Sequence, residues 1–183
     1  MKEHLRPTLT LLAAFTVLTG LAYPLLVTAI AQAAFPHQAN GSLLVRDGRS
    51  VGSELIGQQF DSPRYFWGRP SATTPTAYDA AASAGRNCGP LSPALKEAVA
   101  RRIADLRWAD PTNQQAVPVD LVTASASGLD PHISPAAAAY QLPRVARLRK
   151  LSESTVQQAV ARCTEPPRWG WLGEPRVNVL RLN

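Results

Sequence analysis

Cysteine is scarce in this sequence, and its scarcity excludes several kinds of site. Cys88 and Cys163 are the only cysteines among 183 residues, and no CxxC pair or Cys/His cluster occurs. Structural zinc sites use four such ligands at short, regular spacings, so we expect no metal site. In an oxidising compartment the two thiols could pair and close one long loop. Two unpaired, half-buried thiols are the alternative.

The common sequence signatures of catalysis are also missing. The chain has no G-x-x-x-x-G-K-[ST] phosphate loop, no G-x-S-x-G nucleophile elbow and no G-x-G-x-x-G dinucleotide motif. It also lacks the Asp-Lys-Thr-Gly sequence expected at the phosphorylated aspartate of a P-type pump. These absences favour an accessory or binding component over an enzyme, and we assign no catalytic residue.

The formal net charge is +6, and most of the basic residues are arginine. Arginine favours fixed, forked contacts with carboxylates or phosphates. However, no basic stripe alternates with stacking aromatic residues, as a nucleic-acid-binding surface would require. We therefore predict a solvated basic surface and no nucleic-acid partner.

Formal charge is absent from residues 9–35, which are apolar. As a helix this run would be about 40 Å long, enough to cross a hydrocarbon core of about 30 Å. We predict a tail at 1–8, one transmembrane helix at 9–35 and a soluble extracytoplasmic domain at 36–183. A cleaved secretory signal, with a mature start near Ala34, is the alternative. The apolar core of a signal peptide is shorter than this run, at about 7–15 residues.

Basic residues near the two ends of the run predict its orientation. Lys2 and Arg6 precede it, whereas Arg46 and Arg49 follow at a greater distance. The positive-inside rule then favours a cytoplasmic N-terminus and an external domain.

Small residues mark one face of the predicted membrane helix. Thr16 and Gly20 form a small-xxx-small pair, with Ala13 on the same face. Such a face lets a neighbouring helix approach closely in lipid, although a lone anchor with incidental small residues is the alternative. Pro24 removes one backbone hydrogen bond and should kink the helix unless neighbouring groups compensate.

The rest of the chain alternates short strands with helices and so predicts an α+β domain. Ser92, Ser134 and Ser152 each precede a helical pattern, and Pro143 is expected to restart the second of these helices. Predicted strands lie at 42–46, 55–57, 65–70, 117–122 and near the C-terminus, within 173–183.

Asp130 and His132 are the densest cluster of reactive side chains. A metal site or an acid/base pair would need a third partner, which the sequence does not supply. A turn at Asp130, followed by a helix that Ser134 caps, is the simpler interpretation. An anchored hydrolase that uses His132 and Asp130 is the alternative.

Seven stretches resemble the C subunit of the Kdp potassium-transporting ATPase, a bacterial P-type pump. They occur in the order found in that family, and the resemblance extends from Leu5 to the last residue. The stretches are LTGLAYPL (18–25), FPHQANGSL (35–43), LIGQ (55–58), GRPSA (68–72), DLVTASASGLD (120–130), AAAYQLPRVA (137–146) and GEPRVNV (173–179).

The resemblance implies a single-pass, non-catalytic subunit of the cell inner membrane. Its implied partners are a channel-like potassium-binding subunit, an ATP-hydrolysing P-type subunit and a small helical peptide. It also implies a chaperone role that raises the ATP affinity of the hydrolysing subunit. Gln141 and Arg144 are then the candidate nucleotide contacts. The alternative for Gln141 is a hydrogen bond with backbone inside an alanine-rich helix.

Overall fold

The computed structural model of the chain describes residues 2–183 and divides into two compact units, residues 1–51 and 52–183. The first unit is dominated by helix. Helix α1 spans Lys2–Val17, a π-helical turn spans Leu18–Ala22, and α2 spans Tyr23–Ala34. Glu3–Ala34 is long and apolar enough to cross a membrane, a test that an N-terminal signal sequence would also pass. No residue of this stretch is buried.

The π-helical turn lies directly before Pro24. The backbone N–H of Tyr23 donates to the carbonyl oxygen of Leu18, five residues earlier, instead of four. Pro24 has no N–H to donate, and a π-helical turn is a common way to accommodate a break in the hydrogen-bond ladder. The helix therefore widens before the proline and continues beyond it.

A short helix, α3 (Pro36–Ala39), and a hairpin follow. Strands β1 (Leu43–Arg46) and β2 (Arg49–Ser53) pair through a tight turn. Both turn residues, Asp47 and Gly48, have positive φ, of 52° and 75°. This is the backbone that two-residue hairpin turns require, and it explains the Asp-Gly sequence.

Three longer helices build the second unit: α4 (Pro93–Ala109), α5 (Pro135–Arg149) and α6 (Glu153–Arg162). Ser134 caps α5, since its hydroxyl accepts from the N–H of Ala137, and Ser152 caps α6 through the N–H of Thr155. Ser92 precedes α4, but its side chain makes no capping hydrogen bond.

A small antiparallel sheet packs with these helices. Its strands are β3 (His132–Ile133), β4 (Thr164–Glu165) and β5 (Arg176–Asn178), with β5 in the centre. Val177 of β5 lies opposite Ile133 on one side and Thr164 on the other. The predicted α+β class is confirmed.

The core lies where α5 meets the sheet and the loop before α4. Its members are apolar and buried: Phe66, Trp67, Leu106, Leu121, Ile133, Ala137, Ala138, Tyr140, Val145, Ala146, Val156, Val177, Val179 and Leu182. Leu121, Ala137 and Val177 are entirely inaccessible to solvent. Burial of this apolar surface is the main favourable term for folding.

Several predicted elements were wrong. Residues 117–122 contain a 3₁₀ turn, Val119–Leu121, in place of a strand, and 55–57 and 65–70 form no strand. Helix α5 runs through Pro143 without restarting. The C-terminal segment forms a strand for only three residues, after which Asn178 caps a short helix, α7 (Val179–Leu182), by accepting from the N–H of Arg181. The described cysteines are both free.

Candidate functional site

The two candidate nucleotide contacts lie inside the folded unit. Gln141 and Arg144 are on α5, with 1% and 2% of their surfaces exposed. Gln141 is paired mainly with the backbone of Trp67: its Oε1 accepts from the Trp67 N–H at 2.8 Å, and its Nε2 donates to the Trp67 carbonyl at 3.1 Å. Nε2 also donates to the carbonyl oxygen of Ala137 at 3.3 Å. The amide thus replaces the strand partner that the loop lacks.

Arg144 extends the same network. Its guanidinium donates to the carbonyl oxygens of Pro63 and Tyr65, at 3.0 and 3.2 Å, and to Gln141 Oε1 at 2.7 Å. With two donors on Oε1 and two acceptors for Nε2, the hydrogen-bonding capacity of Gln141 is used. Burial lowers the pKa of Arg144 to about 10, so the side chain remains charged at neutral pH.

The indole of Trp67 contacts two guanidinium groups. Arg144 lies 4.6 Å from the ring centroid and Arg102, from α4, lies 5.0 Å away. Arg102 also donates to the carbonyl oxygens of Leu121 and Gly68. Cation–π contacts of this kind are stronger when desolvated. Trp67 therefore links α4 and α5 through one buried ring.

Asn183 supports the same loop. Asn183 accepts from the N–H of Phe66 at 2.9 Å and donates to the Phe66 carbonyl at 3.0 Å. Together, the side-chain amides of Asn183 and Gln141 provide hydrogen-bond partners for the backbone N–H and C=O groups of two consecutive loop residues. The loop is therefore held by side chains distant in sequence instead of by a β-ladder.

Asp130 and His132 contact each other, and their other partners are structural. Asp130 Oδ1 accepts from the His132 N–H at 3.0 Å and lies 3.3 Å from His132 Nδ1. Asp130 Oδ2 accepts from Arg69 at 3.2 Å. The same guanidinium donates to the carbonyl oxygens of Thr123 and Ala124. The cluster therefore fixes the 123–130 segment to the loop at Arg69.

The electrostatics of Asp130 fit this role. Burial alone would raise its pKa, but the hydrogen bonds from His132 and the positive charge of Arg69 leave the pKa below its ordinary value. His132 Nε2 faces Glu165 at 3.9 Å, and Glu165 in turn pairs with Arg176 at 2.9 Å. Among the described residues, no group of three His, Cys, Asp or Glu side chains could hold a metal ion.

Tyr78 fixes the long segment between residues 71 and 90. Its hydroxyl donates to the carbonyl oxygen of Arg69 at 2.6 Å. A side chain at Gly57 or Gly68 would collide with Tyr78, so both positions require glycine for close approach. Burial raises the pKa of Tyr78 to about 12. The phenol therefore stays neutral and remains a donor.

Among the described residues, none packs closely on the small-residue face of the apolar helix. Ala13, Thr16, Gly20 and Pro24 are all exposed, and nothing lies within 4 Å of a methyl group placed on Gly20. The Thr16 hydroxyl donates to the Leu12 carbonyl at 2.7 Å, so this polar group is satisfied without a second helix. The helix can therefore lie in lipid with its small residues available for packing.

Sequence reasoning missed the residues around which the folded unit is built. Trp67 and Arg69 belong to an aromatic stretch, 65–70, that resembled a strand, and Arg102 belongs to the polar face of a helix. Asn178 and Asn183 lie in a segment read as strand. Buried Asn side chains that bond to backbone are invisible to hydrophobic periodicity, so no sequence signal identified Asn178 and Asn183.

A family model described as KdpC, the c chain of the K⁺-transporting ATPase, matches residues 5–183.

The chain belongs to the KdpC family.

Curated relatives carry the name potassium-transporting ATPase KdpC subunit. One from Sorangium cellulosum is 66% identical over all 183 residues, covering 96% of the relative. Others from Variovorax paradoxus and Methylococcus capsulatus are 64% and 62% identical, again over the whole chain and over 95% and 96% of each relative. These alignments include the apolar helix as well as the folded unit. The family is therefore that of a subunit of a potassium-transporting ATPase complex.

Proposed function

We propose that this chain is a non-catalytic, membrane-anchored subunit whose apolar helix packs against other subunits of a potassium-transporting ATPase and stabilises their assembly. One observation carries the proposal: the apolar stretch Glu3–Ala34, 32 residues long, contains no buried residue. A helix that is apolar on all sides belongs in lipid or against other apolar helices.

The partners we propose follow from the family resemblance. They are the channel-like potassium-binding subunit, the ATP-hydrolysing P-type subunit and the small helical peptide. In lipid, helices associate through close van der Waals packing, which small residues permit. Ala13, Thr16 and Gly20 supply such a face, and the open space around Gly20 leaves room for a neighbouring backbone.

A matched pair of substitutions tests the packing face. Gly20→Ile places a large side chain on the proposed contact, whereas Ala22→Ile makes a similar change two residues away, on the opposite side of the helix. Co-purification of the subunits in detergent should fall at least several-fold for Gly20→Ile and stay near wild type for Ala22→Ile. Equal recovery of both complexes would refute the packing face.

We further propose an inner-membrane location with the N-terminus in the cytoplasm and the folded unit outside. The support is the charge pattern: Lys2 and Arg6 lie close to the start of the apolar run, and Arg46 lies well beyond its end. Gln157 is exposed on α6, so Gln157→Cys offers a labelling site. In a Cys88→Ala, Cys163→Ala background, an impermeant maleimide should label intact spheroplasts. Labelling only after lysis would show that the folded unit lies in the cytoplasm.

Signal cleavage is the competing fate of the apolar run. An intact anchor gives a mature mass that includes residues before Ala34, together with resistance to extraction by alkaline carbonate. A soluble product that begins near Ala34 would instead show a released periplasmic module. Mass spectrometry of the purified chain separates the two.

In this topology the folded unit cannot touch ATP in the cytoplasm. We therefore infer that any increase in the ATP affinity of the hydrolysing subunit is transmitted through the membrane helices. Gln141 and Arg144 are held by protein backbone. Direct nucleotide contact would have to break those hydrogen bonds. The experiment is to measure the KM for ATP of the complex that is still recovered with Gly20→Ile and of the complex with Gln141→Leu. Transmission through the helix predicts that only Gly20→Ile raises this KM.

A further inference from the structure

The segment between β4 and β5 carries an exposed aromatic turn. We call residues 167–172 the tryptophan turn. Trp169 and Trp171 are 77% and 75% exposed, and Leu172 is 47% exposed. Trp67, in contrast, is buried in the core. Large apolar side chains clustered on one short turn of a folded unit commonly mark an interaction site.

The tryptophan turn is closed by its own backbone. The Arg168 N–H donates to the Leu172 carbonyl at 2.8 Å, and the Leu172 N–H donates back to the Arg168 carbonyl at 2.9 Å. Gly170 also donates to the Pro167 carbonyl at 3.0 Å. Trp169 and Gly170 have φ of +54° and +82°. Because the turn is already ordered, little conformational entropy is lost when its side chains are bound.

The chemistry of the turn matches the interface of a lipid bilayer. Its two indoles combine an apolar ring with one N–H donor, and such side chains collect at the level of the lipid headgroups. Arg168 adds a positive charge, and residues 166–173 contain no acidic residue. Of the flanking carboxylates, Glu165 is already paired with Arg176. Glu174 is exposed just beyond the turn and offsets the charge of Arg168, so the indoles are the main lipid-binding groups. The turn is therefore suited to a lipid interface into which indole rings can insert.

The length of the chain places a bilayer within reach. If the apolar helix spans a membrane, as proposed above, the chain between its end at Ala34 and the folded unit at Gly52 comprises residues 35–51. Fully extended, this tether would span at most about 60 Å, and because it is folded as α3 and the β1–β2 hairpin it spans less. A tether of this length keeps the tryptophan turn at a high effective concentration near the lipid surface.

We propose that the tryptophan turn inserts Trp169 and Trp171 into the headgroup region of the external leaflet and so fixes the folded unit on the membrane. The inference rests on the membrane anchor proposed above. Trp and Arg are also frequent at the centres of protein interfaces, so a protein partner is the competing occupant. The tether favours lipid because it guarantees a bilayer nearby.

Quenching by brominated lipid tests the proposal in the full chain. The protein is reconstituted into vesicles of phosphatidylcholine and phosphatidylglycerol, with or without bromine on the acyl chains. Bromine should remove up to about half of the tryptophan emission, because two of the four tryptophans lie in the turn. Trp169→Ser with Trp171→Ser should abolish most of this quenching. Trp108→Ser, which removes an indole that is 79% exposed on α4, should leave it intact.

Flotation of the vesicles and thermal unfolding accompany each measurement. If the chain floats with the vesicles but bromine quenches no more emission than in the double variant, the anchor stands and the tryptophan turn does not bind lipid. If the chain does not float, the anchor itself is refuted and this inference with it. Should bromine fail to quench while the assembled complex shields both indoles from acrylamide, the occupant is a protein and the lipid proposal is overturned. Equal melting temperatures for wild type and variants show that folding is unchanged.

Discussion

Replacing Gln141 with leucine tests whether this buried amide supports the fold or binds a nucleotide. Leucine has a similar volume but neither accepts from the Trp67 N–H nor donates to the Trp67 carbonyl. It also removes the oxygen that Arg144 contacts at 2.7 Å. The change therefore creates unsatisfied polar groups in the core without opening a large cavity.

The expected loss in the free energy of unfolding follows from those lost hydrogen-bond partners. Each buried backbone group left unsatisfied raises the free energy of the folded state by about 1–3 kcal/mol, so two groups raise it by about 2–6 kcal/mol. The greater hydrophobicity of leucine offsets about 1–2 kcal/mol. A net loss of about 3 kcal/mol lowers the melting temperature of a unit of this size by about 10 °C.

The assay is thermal unfolding followed by near-ultraviolet circular dichroism, which reports on the environment of Trp67. Gln157→Leu is the matched control, because Gln157 is exposed on α6 and its replacement should change the free energy of unfolding by less than about 0.5 kcal/mol. A Gln141→Leu melting temperature within about 2 °C of wild type would refute the structural role. If that variant also weakened ATP binding by the complex, the nucleotide role would be favoured instead.

Three further predictions concern the same unit. Trp67→Phe removes the indole donor to the Ser62 carbonyl, at 3.1 Å, and should lower the free energy of unfolding in urea by about 1–2 kcal/mol with an unchanged m-value. Tyr78 should titrate near pH 12 in an ultraviolet difference titration of wild type against Tyr78→Phe. Because the pKa of Tyr78 in the folded protein is raised from about 10, its contribution to the free energy of unfolding is complete below pH 10. That contribution is lost as the pH rises through 12. Ionisation of Tyr78 near pH 10 would contradict this prediction. The pKa of Asp130 is lowered in the folded protein. Its contribution to the free energy of unfolding is therefore present above the ordinary aspartate pKa of about 4, and it is lost as the pH falls through the folded-state pKa. Asp130→Asn should therefore flatten the acid limb of the stability curve, and an unchanged acid limb would exclude this role.

Local patterns in the sequence determined much of the helical structure. The uncharged run at 9–35 predicted the long apolar helix, which the structure extends to Lys2 at its N-terminal end. Ser134 and Ser152 correctly marked the starts of α5 and α6, because a cap depends only on the next three residues. The family could also be identified from sequence, since its motifs occur in order along the chain.

The arrangement of the loop at 63–69 was decided only by tertiary structure. Its aromatic residues favoured a strand, yet its backbone bonds to Gln141, 74 residues away, and to Asn183, 117 residues away. Residues 117–122 likewise form no strand. Leu121 reaches the core from a 3₁₀ turn instead, and its side chain is fully buried there. Propensity and periodicity describe neighbours along the chain. The partners of buried polar groups depend on which distant segments meet, and only the folded chain brings those segments together.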